Sequence, residues 1–344
     1  MKWVFVAFLS CSAVFSAVKT VELVSNFKVN VDDYTSLFTQ RGYDIQVVPS
    51  DFSHYERGLK KNRSRLAKIL RKCSLDFPRS IPIPHHVEKI LFFNITNHDR
   101  KLELHKLDRD KMVLFMWEPR NVLPRMYEPE TTDLFGRIYT WDDDLVDDVK
   151  YFKFYYPVLQ PMIQDPIPFQ DKKLCTFVGS NLKGKSPQSL YRERRAAIEF
   201  FEAHNEEGFE FYGKRWEGLN YKSYRGTTPD KIATIKHYRF SICYENCHGV
   251  KGYVTEKIFD CFAAANVPIY WGASNITDYI PKECFIDRRS FDSMETLYHY
   301  LKTMTEETYN SYLDHIREFL ASDRAQLFSK EHFESLLVNA IHTK

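Results

Sequence analysis

Glu256 and Lys257 stand side by side at the start of an otherwise apolar segment, within "CYENCHGVKGYVTEKIFDCFAAANVPIYWG", Cys243 to Gly272. Ile258, Cys261, Phe262 and Ala265 recur at helical spacing and face a core, which gathers Tyr253, Glu256 and Lys257 on the first turn. A helix N-terminus presents unpaired N–H groups and partial positive charge. That field suits Glu256 but leaves Lys257 without a reason unless an anion is bound beside it. A ligand carrying both phosphate and hydroxyl groups would engage both side chains; the bland alternative is a solvated ion pair on an exposed turn.

Such a helix needs strands on either side. Strand patterns fall at Val21 to Phe27, Tyr43 to Val48, Lys89 to Asn94, Met112 to Trp117, Arg137 to Thr140 and Lys173 to Gly179. Four more follow at Phe209 to Tyr212, Phe240 to Tyr244, Val267 to Tyr270 and Cys284 to Asp287. Helical segments interleave them at Asp33 to Arg41, Leu190 to His204, Asp230 to His237 and Tyr253 to Ala265. This alternation implies an α/β fold with parallel sheets. The Pro-rich "YYPVLQPMIQDPIPF", Tyr155 to Phe169, separates two doubly wound domains that face a cleft. The organisation expected is a hydrophobic segment at 1–18, an N-terminal domain at 20–160, a C-terminal domain at 170–304 and a helical tail at 305–344. Ligands of such sheets bind at the carboxyl ends of strands, where Glu118, Asn246 and Gly272 fall.

Composition narrows the class. The chain has 344 residues, 44% hydrophobic and 27% charged, with a net charge of +2 that gives no basic field for nucleic acid. The basic run "KKNRSRLAKILRK", Lys60 to Lys72, reads as the polar face of an amphipathic helix. Seven scattered cysteines, at 11, 73, 175, 243, 247, 261 and 284, show no CxxC spacing and read as buried thiols with no metal site; only Cys243 and Cys247 lie close enough to suggest a disulfide. The uncharged stretch from Trp3 to Val18 suits a signal peptide or a marginal membrane anchor, with a buried first strand as the alternative. His85 and His86 lie in a Pro-flanked loop, and Asn-x-Ser/Thr sequons begin at Asn62, Asn94 and Asn275.

The ordered set "RFSICYENCHGVKGYVTEKIFDCFAAANVPIYWGASNITDYIPKECFIDRRSF", Arg239 to Phe291, resembles the donor-binding signature of the α1,3-fucosyltransferases, glycosyltransferase family 10. Cys247 replaces the family's Ser or Thr after Asn246, and a Lys-Gly pair precedes Tyr253. Through "LFMWEPRNVLP" and "LYRERRAAIEFF" the weaker resemblance extends over about Val21 to Leu301. It implies a GT-B fold of two Rossmann-like domains that binds GDP-fucose in the C-terminal domain. The diphosphate would sit between Lys257, the helix N-terminus and Arg194, while Glu256 accepts from hydroxyls and Asn246 and Tyr253 contact the donor. Arg194 is selected over Arg192 and Arg195 because Ile198 and Phe201 follow it at the family spacing.

The resemblance further implies transfer of L-fucose, with inversion, to a hydroxyl of an oligosaccharide or glycoconjugate acceptor, in α1,3 linkage to GlcNAc or Glc. Glu118 would be the base that deprotonates that hydroxyl. "YTWDDDLVDD", Tyr139 to Asp148, contains an Asp-x-Asp pattern, but it lies in the acceptor half, and Arg194 and Lys257 already supply positive charge; no obligatory metal is expected. Two rivals are a transferase with another nucleotide sugar and a non-catalytic glycan-binding protein on the same fold. The first would lack the YVTEK and VPIYWG series, and Glu118, Arg194 and Lys257 argue against the second. Residues 3–18 imply membrane association: a Golgi-like secretory location for a eukaryotic or viral chain, a cytoplasmic-face membrane otherwise.

Overall fold

The computed structural model describes residues 19–25, 37–47, 87–95 and 104–342. The hydrophobic segment before residue 19, the basic run at 60–72, His85, His86, Cys11, Cys73 and the sequon at Asn62 lie outside the described residues, as does part of the Asp33 to Arg41 segment.

Runs such as "ILFF" in Val87–Phe93 and "MVLFM" in Met112–Met116 are apolar with little alternation, so each strand must be covered on both faces, which favours parallel pairing. The first sheet contains β1 (Lys19–Ser25), β2 (Tyr43–Val47), β3 (Val87–Phe93), β4 (Met112–Met116), β5 (Arg137–Thr140) and β6 (Tyr151–Lys153), in the order β2-β1-β3-β4-β5-β6. Its neighbours are all parallel. The second contains β7 (Lys173–Val178), β8 (Phe209–Tyr212), β9 (Tyr238–Tyr244), β10 (Val267–Trp271) and β11 (Ile286–Asp287), in the order β11-β10-β9-β7-β8 and again parallel. The Pro-rich segment runs between the sheets without helix or strand from Phe154 to Pro168. This is the two-domain α/β arrangement of the GT-B type. In the second sheet, order reverses between β7 and β9, so a crevice opens at their carboxyl ends.

The helices that matter for the site are α1 (Tyr191–Ala203), α2 (Lys231–Ile235) and α3 (Glu256–Ala263); α4 (Met294–Thr303), α5 (Glu306–Leu320) and α6 (Lys330–His342) follow. Strand β6 escapes the sequence pattern because its residues are all half-buried and charged neighbours precede it. The helix predicted from Tyr253 starts only at Glu256. Thr255 is extended, at φ −114° and ψ −174°, and its side chain accepts from the Lys257 N–H, so Tyr253 precedes the helix rather than sitting on its first turn. The tail divides: Tyr309, Leu313, Ile316 and Phe319 of α5 join the second domain's core. Phe333, Leu337, Ala340 and Ile341 of α6 instead cross back to pack on the first sheet, with Phe333 at 5.7 Å from Phe115 and 5.8 Å from Trp117, ring centre to ring centre.

The domains also meet at a polar seam. Asp143 of the first domain accepts from Lys153 at 2.6 Å and, across the seam, from Tyr279 at 2.6 Å and Asn275 at 3.0 Å. Burial opposes its ionisation, yet those three donors outweigh it and hold the carboxyl below its ordinary range. Lys251 reaches Asp144 at 2.7 Å, and Trp141 and Tyr253 pack at 4.6 Å between ring centres. The Asp run is thus a domain seam, and Asn275 is engaged at both ends of its amide, since its Oδ1 accepts from the Gly252 N–H.

The Lys-Gly pair has a steric reason. Gly252 has φ +78°, and a Cβ there would lie 2.2 Å from the Trp141 carbonyl oxygen. Gly252→Ala combines a left-handed backbone penalty of about 1–2 kcal/mol with that clash, so the melting temperature should fall by several degrees. An unchanged melting curve would mean that the seam does not require this close approach.

Candidate active site

The crevice at the β7 and β9 ends is lined by Gly179 and Ser180 after β7, Arg194 of α1, Lys231 of α2, Asn246 after β9, and Glu256 and Lys257 of α3. Each arrives for a local reason. On α1, Arg194 shares a face with Ile198 and Phe201, both fully buried, so the apolar stripe carries its guanidinium inward and leaves it 6% exposed. Arg192, itself exposed, pairs with its neighbour Glu193, and Arg195 donates to Asn181.

Arg194 is held by the end of β9. Its Nε and Nη2 donate to the Tyr244 carbonyl at 3.1 and 2.7 Å, and Nη2 donates to Asn246 Oδ1 at 3.0 Å. Asn246 in turn donates from Nδ2 to the Tyr253 hydroxyl at 3.2 Å. Tyr253 is buried against Trp141 and Tyr156, so it stands behind Asn246 and does not line the crevice. The loop after β9 is stitched to the start of α1 by Leu190 N–H to Asn246 O and His248 N–H to Gln188 O. Planar guanidinium with one edge fixed leaves its remaining nitrogen, Nη1, without an acceptor among the described residues.

Lys257 is placed by a residue that sequence reasoning passed over. Glu245, fully buried at the end of β9, lies 3.1 Å from Lys257 Nζ and accepts from the Thr255 N–H and hydroxyl. Lys257 also donates to Thr255 Oγ1 at 3.0 Å and Glu256 at 3.2 Å. The premise that Lys257 needs a bound anion is therefore corrected: the protein supplies one. Burial opposes the ammonium, but Glu245 and Glu256 outweigh it and raise the Lys257 pKa. Neighbouring protein partly desolvates Glu256 even though its side chain is half-exposed, yet Lys257 and Lys231 outweigh this and bring it down to about 2. The signal for Glu245 was the position itself, a strand-end carboxylate in "CYEN" directly before Asn246.

Lys231 pairs with Asp260 at 2.8 Å, so Arg194 is the crevice cation that no carboxylate contacts within the described structure. Ser241 adds a buried hydroxyl without a hydrogen-bond partner among the described residues, and it lines the same crevice. Glu256 and Lys257 bring the first turn of α3 to the same crevice.

Glu118 approaches from the other domain, just beyond β4. Burial raises its pKa above the ordinary carboxylate value, Lys257 opposes that, and Glu256 and Glu245 reinforce it. Its carboxylate is thus within electrostatic reach of Lys257, Glu256 and Glu245, although it is not itself among the residues that line the crevice. Asn121, three residues on, donates to the Asn246 carbonyl at 3.2 Å and ties this loop to the second domain. The five described cysteines are buried free thiols, Cys243 and Cys247 included.

Two parallel α/β sheets, with a crevice where the strand order of the second reverses, define the GT-B fold. Residues 169–338, just under half of the chain, match the model "Glycosyltransferase family 10 (fucosyltransferase) C-term". The chain is 41% identical over 73 residues to an alpha-(1,4)-fucosyltransferase of Arabidopsis thaliana, covering 21% of this chain and 18% of that protein. With the alpha-(1,3)-fucosyltransferase FucT of Helicobacter pylori it shares 36% identity over 90 residues, 26% of this chain and 18% of the other. The matches thus span less than a fifth of either relative. A crystal structure of an alpha1,3-fucosyltransferase with GDP-fucose superposes with a TM-score of 0.52 over 95% of this chain and 92% of that one, at 16% identity. That likeness is one of fold.

Glu245→Gln leaves the ammonium of Lys257 without its buried partner, and breaking such a pair costs about 3–5 kcal/mol. Glu256→Gln, whose side chain is 51% exposed, should cost less than about 1 kcal/mol. Urea denaturation of both variants checks the ranking; equal losses would mean that Glu245 does not anchor the helix start.

Proposed function

We propose that the chain transfers L-fucose from GDP-fucose to a hydroxyl of a glycan acceptor by an inverting single displacement, forming an α1,3 linkage to GlcNAc or Glc. The observation that carries this reading is the convergence of Arg194, Lys257 and the first turn of α3 on one crevice, with Glu118 of the opposite domain in electrostatic reach of Lys257. Arg194 and Lys257 stabilise the diphosphate as it departs, and Glu256 accepts from a sugar or ribose hydroxyl. Asn246 keeps the guanidinium of Arg194 oriented, and Tyr253 keeps Asn246 in place. Glu118, ionised, takes the acceptor proton while the acceptor oxygen bonds to C1 and the bond from C1 to GDP breaks.

No divalent ion is needed in this scheme. The two side-chain cations perform its role, and Asp143, the centre of the Asp-x-Asp pattern, is committed to Lys153, Tyr279 and Asn275. Activity should therefore survive EDTA; loss restored by manganese would contradict this. Residues 3–18 attach the chain to a membrane or direct it into a secretory route, which protease protection of the full-length protein tests. Among the described residues no helix is long and apolar enough to cross a membrane.

Isothermal titration should show GDP binding more tightly than UDP. Lys257→Ala and Arg194→Ala should each weaken GDP by roughly 1.5–3 kcal/mol, the worth of a charge-assisted hydrogen bond. Unchanged GDP affinity in both variants would remove the crevice from donor binding.

Glu118→Gln should lower kcat by roughly 10² to 10⁴ with GDP affinity held. Its raised pKa fixes two further signs. The acid limb of kcat/KM should lie above the ordinary glutamate pKa, because the base must lose its proton. A carboxyl with a raised folded pKa contributes stability at low pH that is lost as pH rises through that value. At neutral pH, Glu118→Gln should hence preserve or raise the melting temperature. A variant inactive only because it is unfolded would leave the base unassigned.

A further inference from the structure

Strand β4 ends at Met116, and the next two residues carry Glu118 without sheet pairing. An unpaired backbone at the edge of a cleft would ordinarily take water as partner or move. Here side chains take its place. Asn94 Oδ1 accepts from the Trp117 N–H and from the Glu118 N–H, both at 2.9 Å. The Tyr156 hydroxyl donates to the Trp117 carbonyl, and the Tyr127 hydroxyl donates to the Glu118 carbonyl at 2.8 Å. All four backbone polar groups of the Trp117-Glu118 dipeptide are thus held, by three side chains that are 3%, 3% and 7% exposed for Asn94, Tyr156 and Tyr127.

The anchor is itself built for the task. Asn94 directly follows β3, and its own N–H donates to the Phe115 carbonyl at 3.0 Å. Its φ of 64° is left-handed, a conformation that Asn tolerates better than most residues and that turns the side chain across the end of β4. Tyr156 lies in the segment between the domains, packed at 5.0 Å from Trp117, and Tyr127 closes the loop that Glu118 opens. Three separate parts of the chain therefore converge on one dipeptide.

We propose that Asn94, Tyr127 and Tyr156 are positioning residues that clamp the backbone of Glu118 and fix the direction in which its carboxylate meets the acceptor hydroxyl. This rests on the reading of Glu118 as the base. Misplacement of a catalytic group by about 1 Å can cost 10²-fold in rate, whereas the donor crevice, in the other domain, is untouched. The sequon at Asn94 is consequently not a glycosylation site, because its amide is buried and its oxygen is engaged twice.

The test compares Asn94→Gly, which keeps the left-handed backbone and removes the acceptor, with Asn94→Asp, which keeps an acceptor oxygen. Tyr127→Phe and Tyr156→Phe remove one hydroxyl each and retain ring packing, and they carry the test should Asn94→Gly not fold. Rates are referred to the folded fraction, counted by GDP titration. Asn94→Gly should lower kcat by about 10- to 100-fold with GDP affinity unchanged. Each Tyr→Phe variant should lower it less, and Asn94→Asp should recover the plateau with its acid limb moved to higher pH by the added charge. Full kcat in folded Asn94→Gly, or in both Tyr→Phe variants, overturns the clamp, as does a glycan on Asn94 of active enzyme from a secretory host. A kcat of Glu118→Gln equal to wild type defeats the reading of the base instead, so the two failures are separable.

Discussion

A buried carboxylate sets the geometry of the donor side. Glu245, with no exposed surface, directly follows β9 and grips both the Thr255 that caps α3 and the Lys257 that lines the crevice. In a low-dielectric interior either charge alone would be strongly disfavoured, so the pair is obligatory once one member is present. The strand end, the helix start and the ammonium are therefore positioned together. Arg194 is fixed to the same strand end through the Tyr244 carbonyl, so Arg194 and Lys257 are both referenced to the end of one β-strand.

A corresponding constraint operates in the first domain, where Glu118 sits past the end of β4 on a backbone held by side chains. The two halves are then referenced to each other. Asp143 bridges to Asn275 and Tyr279, Asn121 reaches the Asn246 carbonyl, and α6 returns from the second domain to the first sheet. Without that seam the carboxylate and the cations would belong to two independent bodies, and their relative placement would not be defined.

Much of this was legible in the sequence wherever apolar pattern and chemistry coincided. The strand before Glu118 is a continuous apolar run and the one before Asn246 a mostly apolar one, so those strand ends follow from pattern, whereas Arg194 was singled out by its spacing to Ile198 and Phe201 in the family resemblance. Glu245 was hidden because a charged residue in an apolar run reads as solvent-facing until its partner, Lys257, is known to fold over it. Tyr253 was drawn into the helix because residue spacing does not register the turn at Gly252 or the cap at Thr255. The role of the Asp run at 142–144 depends on a partner more than 130 residues away, which local spacing cannot reveal. Asn94 looked like a sequon because the triplet carries no information on burial.

The central claim is that this paired site works on a GDP-linked sugar. The most direct measurement is the transfer of labelled sugar from GDP-fucose, and in parallel from UDP-linked sugars, to a panel of glycan acceptors by the full chain. Labelled product from GDP-fucose on at least one acceptor, with an inverted anomeric configuration, is the expected result. Turnover of a UDP-sugar with none of GDP-fucose would contradict it.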